Sequence, residues 1–183
     1  DTSFLDDKIL GVRQILNYFI SHLDGDGSLK NVPGWNFTDW VPDWRMGTGP
    51  FGEDGSSALM DLQLLHALRS AVILEQNIGS EDFAHLYHNY SERLAETIQK
   101  KYWDESRRLY ADTPDKDHFS QHTNSLAILA GLAEGEKASE IGRAMLADTS
   151  LAPASIYFKY YLHLSLNKAG MGDDYLNWLD IWR

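Results

Sequence analysis

Three indoles and two carboxylates fall within the ten residues Trp35-Asn36-Phe37-Thr38-Asp39-Trp40-Val41-Pro42-Asp43-Trp44. Indole faces stack on sugar rings and carboxylates accept hydrogen bonds from sugar hydroxyls, so the stretch is a candidate ligand-facing surface. Pro42 and the upstream Pro33-Gly34 interrupt any helix here. The indoles therefore sit on an irregular connection, the kind of segment that carries function on a rigid scaffold. A packing role is the other reading, since tryptophans in a loop also plug the end of a helical core and bond their N–H groups locally.

Other chemistry is thinly represented. His85 and His88 are three apart and His118 and His122 four apart, but no H-E-x-x-H accompanies them, and Phe119-Ser120 reads as a helix start between the second pair. No metal site and no cofactor are expected. Asp24-Gly25-Asp26-Gly27-Ser28 invites a calcium-loop reading, yet the twelfth position from Asp24 is Trp35, where such a loop needs Glu. The glycines from Gly47 to Gly55 lack phosphate-loop spacing, and no Ser stands in a G-x-S-x-G elbow. For carboxylate chemistry the candidates by position are Asp39, Asp43, Glu53, Asp54, Asp104 and Asp112, each near a helix end or in a loop, where capping and solvation are the competing roles.

The elements that must position these residues are helical. Leu5, Ile9, Val12, Ile15, Leu16, Phe19, Ile20 and Leu23 recur at spacings of three and four and predict a helix over 4–23. A second helix is predicted over 58–78. Gly79-Ser80 stops it, and Ser80 caps a third whose stripe is Phe83, Leu86, Tyr87, Tyr90, Leu94, Ile98 and Tyr102. So short a turn makes the pair antiparallel. From Ser120, Gln121-His122-Thr123-Asn124 opens a small-residue helix whose polar first turn is a candidate hydrogen-bonding mouth. Helices over 136–146 and from Ala154 onward complete a plan of about seven in antiparallel hairpins. No alternating run is long enough for a central strand, so the class is all-α.

Composition narrows the partners. The 183 residues suit one domain or part of one, with 43% hydrophobic and 12% aromatic residues. Lys and Arg total 16 against 27 Asp and Glu, and the resulting charge of -11 opposes phosphate backbones and anionic membranes, so neither nucleic acid nor membrane is an expected partner. No apolar run approaches the ~20 residues that span a bilayer. Cys is absent, which removes thiolate chemistry and disulfides and leaves the compartment open. The chain begins at Asp1 without Met and stops inside a helical pattern at Trp178-Leu179-Asp180-Ile181-Trp182-Arg183. That reads as a piece of a longer protein.

Read together, Trp35-Asn36-Phe37-Thr38-Asp39-Trp40, Tyr102-Trp103-Asp104 with Leu109-Tyr110-Ala111-Asp112, and His118-Phe119-Ser120-Gln121-His122-Thr123-Asn124-Ser125-Leu126-Ala127 resemble consecutive motifs of the bacterial α-L-rhamnosidase family. Ser155-Ile156-Tyr157-Phe158 and Gly172-Asp173-Asp174-Tyr175-Leu176-Asn177-Trp178 look like that family too. The resemblance implies part of an (α/α)6 toroid and, for the parent, inverting hydrolysis of terminal α-L-rhamnosides. It places Asp39 and Trp40 in the rhamnose pocket, with Trp44, Trp103 and His122 as weaker candidates. The family's general acid sits in an acidic, Arg-containing motif upstream of the tryptophan loop, and its general base in a Thr-Thr-x-x-Glu-like segment further downstream. Neither pattern occurs here. The expectation is a fragment without either catalytic carboxylate, with helix faces open to self-association. Two other readings stand beside it: another toroidal sugar hydrolase or lyase, and a helical-repeat scaffold that binds proteins, which lacks a fixed repeat period in its favour.

Overall fold

The computed structural model describes residues 2–174. Six α-helices are present among them: α1 Thr2–Ile20, α2 Ala58–Ile78, α3 Glu81–Tyr102, α4 Gln121–Leu129, α5 Gly135–Ala147 and α6 Lys159–Lys168. A small hairpin, β1 Trp103–Asp104 with β2 Leu109–Tyr110, joins α3 to α4 in the register Trp103 to Tyr110 and Asp104 to Leu109. The all-α expectation holds, with this hairpin added. The terminal pattern at 178–183 and the end of the Gly172 motif lie outside the described residues.

Helices α2, α4 and α6 lie side by side as an inner row, and α1, α3 and α5 pack on them from outside. The hairpin α2–α3 is closed by Gly79-Ser80 alone, whereas every passage from an outer helix to the next inner one is long: 21–57, 103–120 and 148–158. These three connections therefore collect at the N-terminal ends of the inner helices, where they bond one another. Ala58 N–H donates to Asp112 O at 2.9 Å, Gln121 N–H to Ala152 O at 3.0 Å and Ala152 N–H to Phe119 O at 2.9 Å.

The core follows from apolar periodicity. On α2, Leu59, Leu62, Leu65 and Leu68 are buried at spacings of three, and on α3 Tyr87, Leu94, Ile98 and Tyr102 face them. Each such side chain contributes about 1.5–3 kcal/mol by leaving water. Of the expected α3 stripe Tyr87, Leu94, Ile98 and Tyr102 are buried, Phe83 and Tyr90 are half-buried and Leu86 is exposed, while Ala84 and Ser91 are buried beside them. Among the described side chains of α1 Ile9 and Leu16 are the buried ones, while Leu5 and Ile15 of the expected face are exposed.

One expected helix cap and one expected helix start differ for identifiable reasons. Ser80 occupies the N-cap of α3 but its side chain makes no cap bond. Its N–H instead donates to Glu75 Oε2 at 2.9 Å, and Arg13 grips the same carboxylate through two bonds of 2.8 and 2.7 Å. A Cβ on Gly79 would stand 1.9 Å from Glu75 Oε2, so the close approach of that buried carboxylate selects glycine. Helix α6 begins at Lys159 rather than Ala154, because the N–H and hydroxyl of Ser155 are drawn to Asp39.

Candidate functional site

The tryptophan loop folds back on a short 3-10 turn, Arg45–Gly47. Gly47 O accepts Thr38 N–H at 2.8 Å and Asp39 N–H at 3.2 Å, and Trp35 Nε1 donates to Met46 O at 2.9 Å. Gly47 has φ +70, and a Cβ there would meet the Phe37 ring at 2.6 Å. The turn thus presses the loop onto its own aromatic residues.

The result is an aromatic shelf at the loop end of the inner helices. Phe37 lies at its centre, 5.3 Å from Trp35, 5.0 Å from Trp40 and 6.0 Å from Tyr157 between ring centroids. Trp35, Trp40 and Tyr157 are 63%, 59% and 54% exposed, so their faces are open. A recess of about 100 Å³ beside the shelf is lined by Phe37, Tyr157 and Tyr161, with Gln63 of α2 and Leu126 of α4. A second cleft of about 560 Å³ lies between the three connections, with Trp44, Arg45, Asp43, Asp112, Asp117 and His118 among its walls.

Asp39 is under the shelf, not on it. Its side chain is fully buried, and its oxygens accept four donors: Trp40 N–H at 2.8 Å and the Ser155 hydroxyl on Oδ1, then His122 Nε2 at 2.6 Å and Ser155 N–H at 2.8 Å on Oδ2. A carboxylate has about four lone-pair sites, so none remains for a sugar hydroxyl. Burial pushes this carboxyl up, but the bonds from His122 and Ser155 outweigh it and hold it below the ordinary carboxylate range. Because the ionised group only accepts, His122 carries its proton on Nε2. His122 is fully buried between Trp44 and Phe158, at 4.6 and 4.3 Å, and its Nδ1 has no partner among the described residues.

The five residues read from sequence as pocket candidates thus separate into layers. Trp40 is open on the shelf, while Asp39, His122 and half-buried Trp44 form its foundation. Trp103 stands elsewhere: its ring packs on Tyr110 at 4.9 Å and under Lys137 of the outer helix α5 at 4.3 Å, and its Nε1 donates to Glu105. The polar first turn of α4 is likewise not a mouth. Gln121 accepts Ala154 N–H, Asn124 brackets the backbone of Tyr110, and Thr123 and Ser120 donate to Asp112, all of them buried.

Of the remaining candidate carboxylates Asp54, Asp104 and Asp112 are spent on structure, and two further aspartates behave like the first two. Asp26, Asp54, Asp104 and Asp148 each accept the N–H and hydroxyl of the Ser two residues on, forming tight turns. Lys30 and Lys101 bind Asp24, Asp26 and Asp54 at 2.8–3.0 Å in the nearest pairs, so ammonium groups occupy the carboxylates of the calcium-like run. Asp112 is buried, which raises its pKa against the pull of Thr123 and Ser120. Among the described residues no group of three or more His, Asp or Glu could hold a metal ion.

The family model described as bacterial alpha-L-rhamnosidase 6 hairpin glycosidase domain matches residues 1–156. The chain belongs to that family. A GH78-family rhamnosidase of Bacillus sp. GL1 superposes with a TM-score of 0.81 at 26% identity, over 98% of this chain and 19% of the other. A rhamnosidase from Klebsiella oxytoca with rhamnose bound superposes with a TM-score of 0.82 at 16% identity, over 99% of this chain and 33% of the other, a likeness of fold. The chain therefore spans a fifth to a third of the length of these rhamnosidases. No curated protein matches it. The alternating inner and outer helices are those of the six-hairpin toroid, and the helical-repeat scaffold falls with the family match.

Phe37, Gly47, Ser155 and Tyr157 complete the shelf and were not named as site candidates in sequence. Phe37 and Tyr157 lay inside the quoted motifs, but their convergence joins segments far apart in the chain. Ser155 lay in the same quoted motif as Tyr157, and for Gly47 the sequence carries only a weak signal, a Gly after a tryptophan-rich loop.

Proposed function

We propose that this chain supplies the aromatic wall of the sugar site in an α-L-rhamnosidase whose parent protein hydrolyses terminal α-L-rhamnosides with inversion. The observation that carries the reading is the open shelf of Trp40, Phe37 and Tyr157 at the N-terminal ends of three inner helices, in a chain of the rhamnosidase toroid family. Rhamnose is a 6-deoxyhexose, and its C–H face and methyl group suit stacking on an indole. The rhamnose-bound rhamnosidase from Klebsiella oxytoca, which shares the fold, is in keeping with this.

Inverting hydrolysis needs an acid on the leaving oxygen and a base that activates water on the opposite face, about 6.5–9.5 Å apart. Asp39, Asp54, Asp104 and Asp112 are held by internal donors, which supports a catalytic pair contributed from outside these residues. General acid and base terms supply ~10²–10⁴-fold each. A protein of these 183 residues alone is therefore expected to give no detectable hydrolysis of an aryl α-L-rhamnoside, and the full-length parent clear activity. Turnover by the 183 residues near the parent's rate would overturn the assignment and make Asp43 and Glu53, both exposed, the first carboxylates to replace.

A further inference from the structure

Trp40 and Tyr157 lie far apart in sequence, yet their backbone N–H groups are joined through two bonded oxygens, Asp39 Oδ1 and Ser155 Oγ. Trp40 N–H donates to Asp39 Oδ1 at 2.8 Å. The Ser155 hydroxyl donates to the same Oδ1 and in turn accepts Tyr157 N–H at 3.2 Å. The backbone that carries one open ring is thus tied directly to the carboxylate and the backbone that carries the other through a single hydroxyl. On the far side Oδ2 is fastened by His122, which is itself clamped between Trp44 and Phe158, so the oxygen has little freedom to follow either loop.

From this geometry we infer that Asp39 and Ser155 are positioning residues that set the spacing of the Trp40 and Tyr157 rings, and through it the fit of the sugar between them. The inference rests on the shelf being the rhamnoside site. The carboxylate acts from beneath, with no direct bond to the ligand. Ser155 is the informative position because it is only partly buried and its loss removes one hydroxyl while leaving Asp39 three donors. Removing it frees Tyr157 N–H and loosens the loop holding Trp40 at once. A flexible wall then has to be ordered by the ligand, which weakens binding more than it slows the chemical step.

The test uses the full-length protein labelled with 5-fluorotryptophan, the Trp40 fluorine resonance being assigned with W40F. Ser155→Ala should shift or broaden that resonance without any ligand present, and Ser155→Thr, which keeps the hydroxyl, should return it. In parallel, S155A should raise KM for an aryl α-L-rhamnoside by about three- to tenfold while lowering kcat less. In a W40A/Y157A background the same substitution should change KM by less than about twofold, because its route to the ligand is gone. A Trp40 resonance unmoved by S155A would overturn the coupling, as would an equal effect on KM with and without the two rings. A resonance that moves while KM stays would leave the coupling standing and remove the rhamnoside reading instead.

Discussion

Asp39 and His122, 83 residues apart in the chain, meet at 2.6 Å with both side chains fully buried. The pair ties the tryptophan loop to the first turn of α4, and its loss removes more than a hydrogen bond. His122→Ala leaves the carboxylate short of a donor in a water-excluded site and opens a cavity between Trp44 and Phe158. Destabilisation of about 3–5 kcal/mol is expected from denaturant unfolding. The bonds lower the Asp39 pKa, so their contribution is present above the ordinary carboxylate range and is lost as the pH falls through the lowered value. The difference in stability between native protein and H122A should therefore persist at neutral pH and narrow in strong acid.

Gly47 offers a test of the shelf's support. Its positive φ and the 2.6 Å approach of the Phe37 ring to a Cβ both oppose substitution. Gly47→Ala should cost about 1–3 kcal/mol and alter tryptophan fluorescence by displacing Phe37 from its neighbours. An unchanged spectrum and unfolding midpoint would show that the turn does not brace the shelf.

The fold was legible wherever apolar periodicity governs a segment: α2, α3 and α5 match their expected spans closely. The tryptophan loop and the rhamnosidase resemblance were legible too, because residue type alone marks them. What could not be read was the direction in which polar residues point. Asp39 looks like a ligand group in sequence, and only the arrival of His122 and Ser155 from distant segments shows that its acceptor sites are used internally. The packing of Trp103 against Tyr110 and Lys137 of α5 was not legible either, since the hairpin that turns it there has strands too short to announce themselves.

Asp61 gives a prediction with the opposite pH dependence. It is buried, accepts Leu29 N–H at 2.8 Å and the Tyr102 hydroxyl at 2.7 Å, and burial pushes its carboxyl up to about 7 despite both donors. The unfolded chain titrates this group at the ordinary value. Its contribution is therefore full below that value and is lost as the pH rises toward about 7, levelling off above, a fall on the order of 4 kcal/mol. Asp61→Asn can still accept from Leu29 and donate to the Tyr102 oxygen without a charge. D61N should gain on the native protein between pH 4 and pH 8 in chemical denaturation, and a constant difference would contradict the assignment.

The helix faces left open carry a prediction about association. Phe4, Leu10 and Ile15 on α1 are 60%, 65% and 61% exposed, and Tyr160 and Leu164 on α6 are 63% and 41% exposed. Apolar surface on this scale favours contact with another surface. A protein of these 183 residues should exceed monomer mass in light scattering and bind an apolar dye. A compact monomer without dye binding would count against it.

The most direct measurement is KM for an aryl α-L-rhamnoside in the full-length protein with and without Trp40→Ala. Trp40 is 59% exposed and touches only the loop's own rings, Phe37 and Trp35, among the aromatic contacts of the described residues, so its removal should leave the core intact and take away one sugar-facing ring. The shelf predicts a rise in KM of about tenfold, equivalent to about 1.4 kcal/mol of lost stacking, with a smaller change in kcat. A KM unchanged by W40A in a folded, active enzyme would contradict the placement of rhamnose on this shelf.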